Sequence, residues 1–286
     1  MAVVLYDLLN DVSLASGLGK RQGEKKLLLK DLRDATEVSD LLVFDSHYAD
    51  YDLLALAEAE GREIVVWLPR SRFKVVEAFW QSDSQEQIVE IGCPTSARKF
   101  VEENSLSEKL RVRLIRILLS DGETEVLATT LRDKEKYVAS DFKQLYGLRW
   151  NEETFFDRIK NIFEVERFSG KSAKVVRQDF YGVLFLASFQ SILAKSDQEA
   201  LEEKSADKNQ KRSYQSNCSI SYVALLDRVV KLLLSAKQTE TILEELHHLF
   251  RANPTQIRPN RHNERNKELR YAHKLRYNKY RKRLSA

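Results

Sequence analysis

Residues 40–68 read DLLVFDSHYADYDLLALAEAEGREIVVWL, and their rhythm settles the fold class. A short apolar run ends abruptly on Asp45. Leucine and alanine then recur at helical spacing until Gly61, and "REIVVWL" (62–68) is rich in β-branched residues again. Working outward, "AVVLYDLL" (2–9) reads as a buried strand and "KRQGEKKLLLKDLRD" (20–34) as a helix with leucines gathered on one side. Strand, helix, strand, helix, strand indicates an α/β core.

Composition narrows the class. The 286 residues, 43% of them hydrophobic, suffice for one large core or two smaller ones. Two cysteines, Cys93 and Cys218, without metal-ligand spacing argue against a disulfide framework or a zinc module and suit a reducing cytoplasm. No apolar run approaches the roughly 20 residues that span a bilayer, and "MAVVLYDLLNDVS" lacks the basic flank and cleavage site of a signal peptide. The expectation is a soluble, cytoplasmic protein. Charge is unevenly spread. Residues 257–286 hold eleven Lys/Arg against Glu264 and Glu268, a net of +9, which leaves −5 for the rest of a chain whose total is +4. A mildly acidic body with a basic end suggests a polyanionic partner.

The remaining segments fall into five expected regions: 1–68, the first part of the core; 69–131, a β-rich insertion; 132–195, the second part of the core; 196–256, a helical C-terminal region; and 257–286, the basic tail. The insertion contains "VRLIRILLSDGETEVLATTL", two β-rich runs around an Asp121-Gly122 turn. "SDQEALEEKSADKNQKRSYQSNCS" (196–219) is polar and reads as an exposed loop. One or two amphipathic helices follow over 220–250.

"LYGLRWNEETFFDRIKNIF" (145–163) carries the candidate chemistry. On one continuous helix, Tyr146, Arg149, Glu153 and Lys160 fall within an arc of about 60°. Leu148, Phe155, Phe156, Ile159, Ile162 and Phe163 occupy the core-facing side. Two readings fit the stripe. Arg149 and Glu153 form an i,i+4 surface pair worth about 0.3–0.5 kcal/mol, or the glutamate holds a divalent cation while Arg, Lys and the tyrosine hydroxyl grip phosphate oxygens. Asp45 also has two readings. At the C-terminal end of a core strand it sits where α/β sheets gather ligands and metals, and it equally suits a cap for the following turn. His47 reads as solvated, and Asp50 and Asp52 as turn and helix-start residues.

Together these residues resemble the DDE transposases of the insertion-sequence-4 family. Tyr146-x-x-Arg149-x-x-x-Glu153-x-x-x-x-x-x-Lys160 looks like that family's Tyr-Arg-Glu-Lys signature, with Trp150 after the arginine. "LLVFDSHYADYDLLALAEAEGREIVVWLP" resembles its second-aspartate segment, "GETEVLATTL" its last insertion strands, and "ERFSGKSAKVVRQDFYGVLF" the segment after the catalytic glutamate. The likeness covers most of residues 3–190. It implies an RNase H-like core with a β-rich insertion, and three carboxylates holding two Mg²⁺ ions (Mn²⁺ can substitute). One ion helps generate the attacking hydroxyl and the other stabilises the leaving oxygen. Carried over, Asp45 is the second aspartate and Glu153 the glutamate, both catalytic and both metal ligands. Tyr146, Arg149 and Lys160 contact DNA phosphate.

The resemblance matches "AVVLYDLLND" to a later strand of that core, so the segment bearing the first aspartate is expected upstream of Met1. The core is then incomplete at its N-terminus, an edge of its sheet is exposed, and the chain is inactive alone. Asp7 and Asp11 lack matching context as substitutes. Ser46 and His47 depart from the arginine and glycine that relatives often carry after the aspartate.

Three functional expectations follow. The first is a cut-and-paste transposase acting on insertion-sequence terminal repeats and target DNA, as a homodimer on DNA and associated with a bacterial nucleoid. The second is a non-catalytic DNA-binding remnant that modulates a full-length transposase. The third is an RNase H-like nuclease whose third carboxylate comes from elsewhere in the chain, with Asp7 as one candidate. The tail interleaves its cations with Tyr271, Tyr277 and Tyr280, which suits nucleic-acid contact or a solvated segment giving nonspecific attraction.

Overall fold

The computed structural model describes residues 2–19, 33–119, 122–205 and 214–257. The expected helix over 20–34 and the basic tail lie outside them, apart from residues 33–34 and Ile257. The chain divides into two compact units, Met1–Val3 with Gly19–Glu152, and Val4–Leu18 with Glu153–Ala286.

β1 (Ala2–Asp7) and β2 (Val12–Leu18) pair with each other in a two-stranded sheet. β1, read from sequence as a core strand, therefore does not join the main sheet. Its turn explains why. The Asp7 carboxylate accepts hydrogen bonds from the backbone N–H groups of Leu9 (2.9 Å) and Asn10 (3.0 Å) and from the Asn10 amide (2.7 Å), which folds the chain straight back. Asp11, at φ 59°, completes the reversal.

The first unit is built on β3 (Leu41–Phe44), α1 (Tyr51–Ala59) and β4 (Glu63–Trp67). β3 and β4 run parallel, with Phe44 opposite Val66. Gly61, at φ 67°, ends the helix side of the connection in a conformation that a side chain would strain. After α2 (Lys74–Gln81) come β5 (Glu86–Gly92), α3 (Arg98–Glu103), β6 (Lys109–Leu118) and β7 (Thr124–Thr129). These three strands are antiparallel to their neighbours and extend the same sheet in the order β3-β4-β7-β6-β5. Val65, Ile115 and Leu127 form one face of its core, covered by Phe142 and Tyr146 of α4 (Asp141–Gly147). Arg113 of β6 is fully buried in this sheet. It pairs with Glu86 of β5 and donates to the carbonyls of Leu131 (3.3 Å) and Tyr137 (2.7 Å).

α5 (Trp150–Asn161) leads into the second unit, which contains α6 (Ala173–Ser205), β8 (Tyr214–Ser216), α7 (Cys218–Leu234), α8 (Thr239–Ala252) and β9 (Pro254–Gln256). α6 overturns the loop expected from residue 196. Residues 196–205 continue the helix, with Asp197 and Leu201 buried; their Gln, Glu, Ala, Leu and Lys are good helix formers, so polarity here marks a solvated face. Asn217 caps α7 by accepting from Ser219 N (3.1 Å) and Ile220 N (3.2 Å). Leu225, Leu246 and Phe250 form the centre of the α6-α7-α8 core. Most of the β1–β2 hairpin belongs to this unit too. Asp11 pairs with Arg158 of α5 and accepts from Ser191 Oγ of α6 (2.9 Å), while Ser13 N donates to Ser188 Oγ (3.0 Å).

Candidate nucleic-acid cleavage site

α4 and α5 replace the single helix expected over the signature. At the join, Leu148 N bonds Leu145 O, Arg149 N bonds Tyr146 O, Asn151 N bonds Leu148 O and Glu152 N bonds Arg149 O, all i→i−3 bonds. Such tight winding advances about 120° per residue rather than 100°, so angles drawn on one continuous helix do not hold across the join. Gly147, a poor helix former, was the one local signal of the break.

In the first unit, three signature residues gather at the C-terminal end of β3. Asp45 follows the strand directly and caps a short 3₁₀ turn, Ser46–Tyr48, its Oδ1 accepting from Ser46 N at 2.6 Å. The Tyr146 ring is 3% exposed, and its hydroxyl donates to the Phe44 carbonyl at 3.4 Å. Burial pushes the Tyr146 phenol well up; the Arg149 charge opposes this and the Asp45 charge adds to it. Arg149, also buried, lies with its guanidinium 5.6 Å from the Tyr146 ring centre and 4.9 Å from that of exposed Trp150. Asp50 stands at the N-cap position of α1, where its side chain makes no capping bond, and pairs with Arg72 at 3.1 Å.

In the second unit, Glu153 and Lys160 are both exposed on α5, seven residues and so about two turns apart on one side of the helix. Phe155 and Ile159 take the buried side. Lys160 Nζ lies 5.8 Å from the Phe156 ring centre. Asp7 and Asp11 are engaged as described, one in its turn and the other on Arg158.

Among the described residues no three His, Cys, Asp or Glu side chains gather as a metal-holding group. Asp45 is the one signature carboxylate in the first unit and Glu153 the one in the second, and one Asp45 oxygen already serves the Ser46 cap. These donors do not by themselves fit the octahedral oxygen shell of a hard divalent cation.

Asp45, at the carboxyl end of a parallel strand and beside a buried tyrosine and arginine, stands where open α/β sheets bind ligands. A family model, the transposase DDE domain, matches residues 1–189, and the chain belongs to that family. No curated protein matches it. Membership makes DNA transposition the activity, DNA the partner and a divalent metal the cofactor that the family implies. No helix among the described residues is long and apolar enough to cross a membrane.

Proposed function

We propose that the chain is a transposase of the insertion-sequence-4 type, with an RNase H-like core, that cleaves and joins DNA at insertion-sequence ends. The observation that supports this best is the meeting of Asp45, Tyr146 and Arg149 at the end of β3, with the family match running through all of them and on past Glu153. In this reading Asp45 and Glu153 would be two of three carboxylates holding Mg²⁺ or Mn²⁺, a group that would supply activation of water and stabilisation of the leaving oxygen. Tyr146, Arg149 and Lys160 contact phosphates beside the cut, as a dimer binds terminal repeats and then target DNA in the bacterial nucleoid.

The third carboxylate of this reading is not among the residues carried over. Among the described residues β3 is an edge strand of the sheet, the position at which a further strand carrying an aspartate would pair. Without that strand the chain binds DNA and does not cut it. The test is nicking of supercoiled DNA in Mn²⁺ by the purified chain and by its Glu153→Gln variant, beside a gel-shift assay of both. The expected result is an equal shift and no nicking above the variant's level. Nicking that disappears in Glu153→Gln would show a complete site and overturn the dependence on an added strand.

A further inference from the structure

α7 buries Tyr222, Leu225, Val229 and Leu232 in the core of its unit, yet its opposite face is apolar as well. Val223, Leu226, Val230 and Leu233 are 55%, 47%, 64% and 58% exposed, flanked by Ile220 at 37% and Leu234 at 82%. Their spacing alternates three and four residues. In heptad terms Val223 and Val230 take the a positions, Leu226 and Leu233 the d positions, and Ile220, Asp227 and Leu234 the e positions. Valine at a with leucine at d is the pattern of parallel two-stranded packing. At side-chain areas of roughly 150–200 Å², the six residues leave on the order of 600 Å² of contiguous apolar surface, at the upper limit for a monomer. Covering it on two copies buries about 1,200 Å², the lower end of the range for stable interfaces.

We propose that this face of α7 is a homodimer seam, occupied by α7 of a second copy of the chain. It deepens the reading of the protein as a dimer on DNA by naming the surface, but it rests on α7 alone. The two helices run parallel, side by side over two heptads. The antiparallel alternative, centred on the same stripe, sets Asp227 against its own copy at the two-fold axis, which like charges disfavour. Arg228 does not relieve that repulsion, because it is turned to Glu245 of α8 at 3.2 Å.

Sedimentation equilibrium of the full chain without DNA tests the seam. The expected mass is twice the 33.2 kDa of one chain, falling to a single chain in the Val223→Glu/Val230→Glu double variant with an unchanged circular-dichroism spectrum. Orientation is read separately. With Cys93 and Cys218 replaced by serine, Leu233→Cys is expected to give an oxidised, covalently linked dimer, which an antiparallel seam would hold too far apart. A wild-type chain that stays single at all concentrations overturns the proposal, whichever segment covers the stripe instead. So does a dimer indifferent to the double variant, and a dimer in which Leu233→Cys fails to link overturns the parallel arrangement. Nicking and gel shift do not enter these readouts, so the seam and the transposase reading fail independently.

Discussion

Tyr146 illustrates how one hydroxyl separates two roles. It is proposed to touch phosphate, yet it is buried against the Phe44 carbonyl, and a 3.4 Å bond is long enough for a phosphate oxygen to compete. Tyr146→Phe should cost about 1 kcal/mol of stability and, if the phenol reaches DNA, several-fold in affinity by gel shift. A stability loss with unchanged affinity would leave the phenol as a support for the strand end. Arg113 and Glu86 form the other residue-level device. Burial would raise the Glu86 pKa, but the bonds and charge of Arg113 outweigh it and hold the carboxyl below the ordinary 4.5. A depressed carboxylate contributes stability that is complete above its unfolded pKa and is lost as pH falls through the folded one. Thermal melts should therefore hold steady above about pH 5 and decline below 4.5. Glu86→Gln should start lower and flatten that decline; an unchanged slope would remove the pair from acid sensitivity.

At the level of elements, the β1–β2 hairpin is fixed by polar side chains rather than by the main sheet. Arg158 donates to Asp11 and also lies 3.4 Å from the Tyr6 hydroxyl, while Lys195 Nζ donates to Asn10 Oδ1 at 2.7 Å. Asp11→Ala should lower stability by about 1–2 kcal/mol, since it strips a half-buried guanidinium of its carboxylate. Urea melts check this, and a loss within 0.3 kcal/mol would show the bond to be replaceable by water. Elements with a strong pattern were legible from sequence: "LLVF", the alanine-leucine helix stopped by Gly61, "IVVW" and the β6–β7 pair all stand where the pattern placed them. β2 was not, because "VSLASGL" is rich in small residues and offers little strand signal. The α4–α5 join was not either, since a 3₁₀ turn shifts helical phase without changing composition. Of the candidate site, the place of Asp45 at the end of a strand was legible, and the burial of Tyr146 and Arg149 was not. The helical wheel set Tyr146 and Arg149 outside the apolar arc, whereas the structure packs them within.

For the whole molecule, the order of the chain and the order of the units disagree. Val4–Leu18 belongs with Glu153–Ala286, and Gly19–Glu152 lies between them in sequence. The bond from Ser13 to Ser188 joins residues 175 apart. Synthesis makes the consequence concrete. The hairpin leaves the ribosome before α6, which follows only after about 10–35 s at 5–20 residues per second. During that interval its inward polar groups, Asp11 above all, have only water to bind, while the sheet of the first unit can already close from residues 41–129. Contacts of such high sequence separation also slow refolding of the finished chain. A hairpin made before the main sheet thus finds its place after it.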